Sequence, residues 1–299
     1  MRVFYSDVFD LNLPDGHRFP GGKYGLLRRK LTDDGVLRAD ELIVSPPAQD
    51  AHLLRAHASD YVRAIDDGTV EASMMRRIGF PWTPQIPKRA RATVGGAVAV
   101  AHAALEDGIS GQLAGGTHHA HRDFGAGYCV FNDHAVAALD LLATGRARRV
   151  AIVDLDVHQG DGNAAILAPR TDVFVLSIHG QKNFPFRKFP SDLDVGLPDG
   201  AGDAAYLAAL EDALPAVWAF DPDIVFYQAG VDALETDKLG RLSMTHDGLM
   251  RRDEIVLSAC KAHGLPVAMA IGGGYADPID DSVAAYANTY RVAKAVYGV

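Results

Sequence analysis

Five short apolar runs mark the part of the chain that follows residue 110. They are rich in β-branched side chains and nearly continuous rather than alternating, which is typical of strands covered on both faces of a sheet. The runs are residues 111–114, 150–157, 173–178, 224–228 and 267–271. This pattern predicts a buried and mostly parallel sheet.

Longer segments with helical spacing of apolar residues lie between these runs. The helical candidates are residues 88–106, 132–143, 203–219 and 246–262. Strands that alternate with helices favour an α/β fold with helices on both sides of a parallel sheet. The first 85 residues are less regular, and no repeat or linker divides the chain. We therefore expect one three-layer α/β/α domain over residues 1–299.

Chemically distinctive residues cluster where the predicted strands end. These segments are residues 117–121, 154–161, 177–179, 230–232 and 272–275. In an open parallel sheet, ligands bind outside the carboxyl ends of the strands. We expect the five segments to converge at one edge of the sheet and to form a single site.

Composition narrows the class of protein further. The 299 residues include 38 acidic and 29 basic ones, for a net charge of −9. This balance argues against a general nucleic-acid binder and mildly favours a cationic substrate. No apolar stretch reaches the roughly 20 residues that span a bilayer, and the N-terminus lacks a secretory signal, so we expect no membrane partner. Two cysteines form no disulfide framework, which favours the cytoplasm.

The strongest chemical pattern is the segment that begins at Asp154. In an extended strand, Asp154, Asp156 and His158 would share one face. A capped turn at Gly160 and Asp161 would explain one carboxylate, but not three carboxylates and a histidine within eight residues. Buried carboxylates at this density repel one another unless a cation lies among them, so the segment predicts half of a divalent metal site.

A pair of adjacent histidines follows a Gly-Gly turn after the first predicted strand. A catalytic imidazole needs a partner on its second nitrogen to fix its tautomer and basicity. Once the metal is satisfied, Asp154 and Asp161 remain as natural partners for His118 and His119. His121 has no such assignment, and we expect it at the surface of the protein or at the margin of the site.

Two further strand ends complete the candidate site. Asp232 follows an apolar strand and, with Asp156 and His158, would give an Asp-His-Asp ligand set that leaves positions free for water and substrate. Such a set suits Zn²⁺, and its hard ligands would also accept Fe²⁺ or Co²⁺. Tyr275 follows three glycines and could donate its hydroxyl proton to an oxyanion.

Together these motifs resemble the zinc-dependent histone deacetylases and their bacterial relatives. The matching motifs are residues 154–162, His118-His119, and residues 127–133, 229–232 and 272–275, in family order. The resemblance extends from about residue 14 to 290 and implies the arginase/deacetylase fold. Gln159 and the runs 237–243 and 252–254 most resemble the class IV branch.

The resemblance implies a role for each residue of the site. Asp156, His158 and Asp232 would bind zinc, and Tyr275 would polarise the carbonyl group. His119 would act as general base and acid with His118 as its electrostatic partner. Asp154 and Asp161 would be the carboxylates behind the two histidines. Tyr128 and Gly127 would line the substrate channel.

The resemblance also implies a structural K⁺ or Na⁺ site. It would draw on Asp154, Asp156, His158, Ser177 and the carbonyl of Ile178. Thr117 departs from the family pattern, because a tryptophan commonly precedes the histidine pair. That departure could alter the packing beneath the site.

The implied function is removal of an acyl group from lysine in a protein or peptide, with no direct nucleic-acid partner. Hydrolysis of acetylated polyamines or other small amides is the main alternative. A ureohydrolase with two metal ions would need a further carboxylate where the chain has Leu234. An inactive binding module would not need His118, His119 and Tyr275. The acyl group and the oligomeric state stay open at this level.

Overall fold

The computed structural model describes residues 1–14 and 16–299, and within them the centre of the fold is one sheet of eight parallel strands. The strands are β1 (Val3–Tyr5), β2 (Leu42–Val44), β3 (Ile109–Gln112), β4 (Val150–Asp154), β5 (Val173–Gly180), β6 (Leu193–Leu197), β7 (Ile224–Gln228) and β8 (Val267–Ala270). Their spatial order is β2-β1-β3-β8-β7-β4-β5-β6. This architecture confirms the predicted α/β fold with a parallel sheet.

The helices form two groups that pack within themselves and against the sheet. They are α1 (Lys23–Asp33), α2 (Asp50–Leu53), α3 (Ser59–Asp67), α4 (Ala72–Ile78), α5 (Gln85–Asp107), α6 (Asp133–Ala143), α7 (Asp161–Leu167), α8 (Asp203–Phe220), α9 (His246–Ala262) and α10 (Ile279–Tyr297). Helices α2, α5, α6 and α7 make one group, and α1, α8, α9 and α10 make the other. Across the residues described, none of these helices has both the length and the apolar character that crossing a bilayer requires.

All five predicted strands and all four predicted helices have counterparts in the structure. However, β3 begins and ends two residues earlier than the predicted run 111–114, and β4 is shorter than expected. We predicted a strand over residues 150–157, and β4 ends at Asp154. Beyond that point, each aspartate carboxylate accepts a hydrogen bond from the backbone N–H two residues further on. Asp156 N–H donates to Asp154 Oδ1 at 3.2 Å, and His158 N–H donates to Asp156 Oδ1 at 3.0 Å. Such local bonds compete with a strand ladder and replace it with a turn.

Several elements were not predicted from the sequence. Strands β1 and β2 have three residues each, too few to show a period. Strand β6 lies at the edge of the sheet, where its side chains alternate between more and less exposed positions, so it lacks the continuous apolar run of a buried strand. Helices α1 to α4, α7 and α10 also lie outside the predicted segments.

The register of the sheet explains where the site forms. Asp154 at the end of β4 pairs with Ser177 in β5 and with Gln228 at the end of β7. Gln228 in turn pairs with Ala270, the last residue of β8. The carboxyl ends of β4, β7 and β8 are therefore level, whereas β5 continues three residues beyond Ser177 to Gly180. The segments that follow these strands meet at one edge, as the sequence predicts.

Candidate active site

Three buried side chains on two loops form the candidate metal centre. Asp156 and His158 lie in the turn after β4, and Asp232 follows β7. Nδ1 of His158 is 3.1 Å from Oδ1 of Asp156 and 3.0 Å from Oδ2 of Asp232. One candidate ligand atom from each residue lies within 4.8 Å of the other two. Because Asp156 lies beyond the end of β4, this convergence comes from the turn and not from a shared strand face.

The electrostatics of this cluster favour a bound cation. Burial and the neighbouring charge of Asp156 raise the pKa of Asp232 to about 7. Asp232 Oδ1 accepts the Val157 N–H at 2.9 Å, which leaves Oδ2 directed at the centre of the cluster. Two buried carboxylates and one imidazole fit a divalent ion, since its charge would offset their repulsion.

Glycines allow the two ligand loops and the glycine turn after β8 to approach one another so closely. A Cβ on Gly273 would lie 2.0 Å from Oδ2 of Asp232, and one on Gly230 would lie 2.6 Å from Oδ2 of Asp156. The Gly273 N–H donates to that same Asp156 oxygen at 2.6 Å. A side chain at either glycine would displace a ligand carboxylate, so the glycine turn is part of the metal centre.

The adjacent histidines have separate carboxylate partners. Nδ1 of His118 is 2.7 Å from Oδ2 of Asp154, and Nδ1 of His119 is 2.7 Å from Oδ1 of Asp161. Their ring centroids are 4.2 Å apart. The structure thus brings together the two histidines and the two carboxylates that the sequence pairs with them.

Different surroundings shift the pKa values of the two imidazole rings in opposite directions. Burial alone would lower the pKa of His118, but the charges of Asp154 and Asp156 raise it to about 9. Burial and the charge of His118 lower the pKa of His119 to about 4. At neutral pH His118 is therefore a cation, whereas His119 is neutral and able to accept a proton.

The structure corrects the expectation for His121. We placed it at the surface or margin, but it is buried, and its Nε2 lies 2.9 Å from Oδ2 of Asp161. Asn132 holds the preceding backbone inward through a 3.1 Å bond to the Ala120 carbonyl. Asp161 therefore contacts two imidazoles, and burial opposed by these hydrogen bonds leaves its carboxyl pKa far below the usual range.

Tyr275 faces the same cavity from the end of the glycine turn. Burial raises the pKa of its phenol well above the usual value, so the hydroxyl stays protonated. Its backbone N–H donates to Asp237 at 2.5 Å. A protonated phenol held in this way can donate a hydrogen bond to a substrate oxygen.

The sequence analysis missed a buried lysine behind Tyr275. The ammonium of Lys23 lies 4.7 Å from the centroid of the Tyr275 ring and donates to the Gly274 carbonyl at 3.0 Å and to the Tyr286 hydroxyl at 3.1 Å. Burial lowers its pKa to about 8. No sequence motif marks Lys23, because α1 brings it to the site from a distant part of the chain.

Two further polar residues were missed as organisers of the loops. The carboxylate of Asp133 accepts the N–H groups of Gly116 and Thr117, both at 2.8 Å. Thr117 Oγ1 donates to the Phe131 carbonyl at 2.6 Å, so the threonine fixes the turn before the histidine pair. The guanidinium of Arg252, fully buried, contacts the Gly230 carbonyl at 2.5 Å and thereby supports a ligand loop.

The metal centre and the histidines open into a cavity of about 940 Å³. Tyr128 and Gly127 line it, as the channel prediction requires. Phe184, which the sequence analysis did not single out, packs edge-on against His119 with ring centroids 4.9 Å apart. A Cβ on Gly127 would lie 2.7 Å from the His119 ring, so this glycine leaves room beside the histidine.

The predicted monovalent cation site combines residues at and after the end of β4 with two residues of β5. Ser177 is paired in register with Asp154, and Ile178 follows it in β5. Both are buried. The Ser177 hydroxyl lies 3.0 Å from Nδ1 of His179.

The fold and this site define an α/β protein with a buried Asp-His-Asp cluster at the carboxyl edge of a parallel sheet. The sequence matches the histone deacetylase domain over residues 17–290. Histone deacetylase 2 of Arabidopsis thaliana is 30% identical over 92% of this chain and 74% of its own length. An uncharacterized protein of Picosynechococcus sp. is 44% identical over 99% of both chains. The crystal structure of an HDAC homolog from Aquifex aeolicus superposes with a TM-score of 0.84 at 24% identity, over 99% of this chain and 88% of that one. The chain belongs to the histone deacetylase family.

Proposed function

We propose that this protein is a zinc-dependent deacylase that hydrolyses the amide bond of an acylated lysine in a protein or peptide. The observation that carries the proposal is the meeting of three groups at one cavity. These are the Asp-His-Asp cluster, a neutral histidine paired with a carboxylate, and a protonated tyrosine. Each supplies something that amide hydrolysis needs: a Lewis acid, a base and an oxyanion donor.

Asp156, His158 and Asp232 would hold the metal ion. Bound there, a divalent ion supplies Lewis acidity, which polarises a carbonyl and makes water more acidic. The same ligands would accept Fe²⁺ or Co²⁺. We also propose that Ser177 and the Ile178 carbonyl, with the carboxylates around Asp154, hold a structural K⁺ or Na⁺. The pairing of Ser177 with Asp154 in the sheet and the burial of Ser177 and Ile178 support that assignment.

The protein's own groups then move the proton and stabilise charge. His119 Nε2 takes a proton from the attacking water while Asp161 holds its Nδ1–H. Tyr275 donates its hydroxyl hydrogen bond to the carbonyl oxygen as negative charge develops there. His118, held as a cation by Asp154, stabilises that charge, and His119 returns the proton to the leaving amine.

Replacing the two central groups tests this assignment. His119→Ala should lower kcat by about 10²–10⁴-fold, the usual contribution of general base catalysis. Tyr275→Phe should lower it by about 10²–10³-fold, as the loss of an oxyanion donor does. Circular dichroism and metal content should match the parent. Near-parental turnover of an acetyl-lysine peptide by either variant would refute the role of that residue.

A substrate panel distinguishes the enzyme classes. We expect the zinc-loaded protein to hydrolyse acyl-lysine peptides, with acetyl, lactyl and long-chain groups compared at equal concentration. Acetylated polyamines are the second candidate class. Release of urea from a guanidino substrate, with two metal ions per chain, would instead indicate a ureohydrolase. Metal binding without turnover of any amide would indicate an inactive binding module.

Two finer assignments belong to the proposal. We infer that residues 1–299 form one catalytic domain, which the single sheet and the match over most of the chain support. We place the protein nearest the class IV branch because of Gln159. Its amide donates to the Phe189 carbonyl at 2.6 Å and to Asp194 at 2.7 Å, so it holds the loop beside the cavity.

A further inference from the structure

The mouth of the active-site cavity carries a charge opposite to that of the whole protein. Five exposed basic side chains line it, a set that we name the cationic rim: Arg76, Arg77, Lys182, Arg187 and Arg241. The protein as a whole has a net charge of −9. A cluster of this sign on an acidic protein indicates a local function for positive charge.

No exposed carboxylate offsets the rim from within the cavity, as far as the structure describes the chain. The acidic residues that line the cavity are Asp156, Asp161 and Asp232, and all three are buried around the metal centre and the histidines. They are engaged by the metal site and by two imidazoles. A substrate group at the mouth therefore meets positive charge first.

Most of the rim is free to bind an anion. Lys182 and Arg241 share one carboxylate, that of Asp199, at 3.8 Å and 3.3 Å. Within the described residues, Arg76 and Arg187 have no carboxylate within ion-pair distance. The rim thus holds more positive charge than its own surroundings neutralise.

Aromatic contacts order part of this surface. The Arg77 guanidinium lies 3.7 Å from the centroid of the Phe124 ring, and Phe124 stacks on His121 with centroids 4.2 Å apart. Phe186, at the same mouth, is 87% exposed. A surface that combines fixed cations with an exposed ring suits a peptide segment better than a small hydrophilic ion.

We propose that the cationic rim selects acyl-lysine substrates whose neighbouring residues are acidic, and that it disfavours acetylated polyamines. This inference rests on the proposed deacylase function. Residues of an extended peptide rise about 3.3 Å each, so the Cα atoms two positions from the acylated lysine lie within about 7 Å of its Cα, and their side chains can reach the mouth of the cavity. Carboxylates there meet the rim, whereas the additional ammonium groups of a polyamine are repelled by it.

The test compares acetyl-lysine peptides that differ only at the two positions on each side of the lysine. Acidic, neutral and basic versions are assayed with an acetylated polyamine against the zinc-loaded enzyme. We expect kcat/KM to fall by about tenfold from the acidic to the basic peptide, mainly through KM. Raising the ionic strength from about 0.03 to about 0.3 M shortens the screening length roughly threefold and should shrink that ratio.

Charge reversal assigns the preference to the rim. The double variant Arg76→Glu, Arg187→Glu should lose or invert the ratio of kcat/KM between the acidic and the basic peptide. The matched control is Arg148→Glu, an exposed arginine just before β4, at the opposite end of the sheet from the cavity. This control should keep the parental ratio.

The possible outcomes separate the two proposals. Equal rates for all peptides, faster cleavage of basic peptides or polyamine, or a ratio unchanged in the double variant would overturn the rim inference and leave the deacylase intact. No cleavage of any acylated amine would overturn the deacylase itself. Stronger inhibition by a short oligonucleotide than by an acidic peptide without an acyl group would assign the rim to nucleic acid and refute the inference.

Discussion

At the scale of single residues, neighbours decide what each ionisable side chain does. His118 and His119 are adjacent in sequence and equally buried, yet the pKa of one rises to about 9 and that of the other falls to about 4. His118 lies near two carboxylates, whereas His119 has one carboxylate partner and lies beside the cation of His118. Pairs of groups whose pKa values diverge in this way are typical of acid and base roles in catalysis.

Lys23 is a positioning residue for Tyr275, and its replacement should lower activity without a matching loss of stability. Its cation lies over the Tyr275 ring, and such an interaction contributes about 0.5–2 kcal/mol. We expect Lys23→Met to lower kcat by roughly 2–30-fold with little change in KM. The substitution removes a buried charge, which favours the fold, and two hydrogen bonds, which opposes it, so the melting temperature should change little.

The control for Lys23 lies on the same helix. Lys30 is partly exposed and pairs with Asp34 at 3.0 Å, away from Tyr275, so Lys30→Met should leave kcat unchanged. Steady-state kinetics and thermal unfolding of both variants check the prediction. A fall in kcat for Lys23→Met that only follows a loss of folded protein would argue against positioning.

His57 should make stability depend on pH. Asn132 N–H donates to its Nε2, and its Nδ1 lies 2.9 Å from the His121 carbonyl, an arrangement that suits the neutral ring. Burial lowers its pKa from 6.5 to about 4. As the pH falls below about 6.5, His57 binds a proton in the unfolded chain but stays neutral in the folded protein. The free energy of unfolding therefore decreases until about pH 4.

Urea unfolding at several pH values measures this effect. The contribution of His57 should be fully present above pH 6.5 and amount to about 3 kcal/mol at most. His57→Gln should therefore be less stable than the parent at pH 8, with a smaller loss between pH 6.5 and 4. Parallel pH curves for parent and variant would contradict the explanation.

At the scale of elements, close packing overrides local preference. Gly95 lies within α5, where helix propensity alone would favour alanine by about 1 kcal/mol. A Cβ at this position would lie 2.0 Å from the Pro46 carbonyl oxygen and 2.6 Å from the Ala48 nitrogen. The glycine lets α5 approach the segment that follows β2.

Whether Gly95→Ala raises or lowers the free energy of unfolding shows which effect is larger, helix propensity or close packing. We expect Gly95→Ala to destabilise the protein by about 1–3 kcal/mol, because backbone atoms cannot yield to the added carbon. Gly22→Ala serves as a control, since a Cβ there meets nothing within 4 Å. Thermal unfolding measures both variants. Stabilisation by Gly95→Ala would show that the contact relaxes easily.

At the scale of the whole molecule, metal binding should stabilise the fold. The cluster of Asp156, His158 and Asp232 joins loops from two central strands, and only the folded chain holds these ligands together. Zinc at about 100 times its Kd should add about 2.7 kcal/mol to the free energy of unfolding. Chelation should reverse that gain.

Elemental analysis and thermal unfolding with and without zinc check this prediction. We expect one catalytic transition metal per chain, and His158→Ala should abolish both the binding and the thermal shift. A second tightly bound transition metal, or a shift that survives His158→Ala, would place the ion elsewhere.

Sequence by itself predicted the parallel α/β fold and most of the candidate site. Buried strands read as continuous apolar runs, and the residues that carry the chemistry follow them directly along the chain, so local pattern was enough to find Asp156, His158, Asp232 and the histidine pair. The short strands β1 and β2 were not predicted, because three residues are too few to show a hydrophobic period. The edge strand β6 was not predicted either, because it is only partly buried and lacks a continuous apolar run.

Tertiary structure decided what depends on residues distant in sequence. The burial of His121 arises because its loop is held inward from α6, and Lys23 reaches Tyr275 across 252 positions of the chain. The cationic rim follows the same rule, since its five members come from three separate segments. A net charge of −9 favours a cationic substrate, but charge at the cavity mouth depends on which side chains the fold places there.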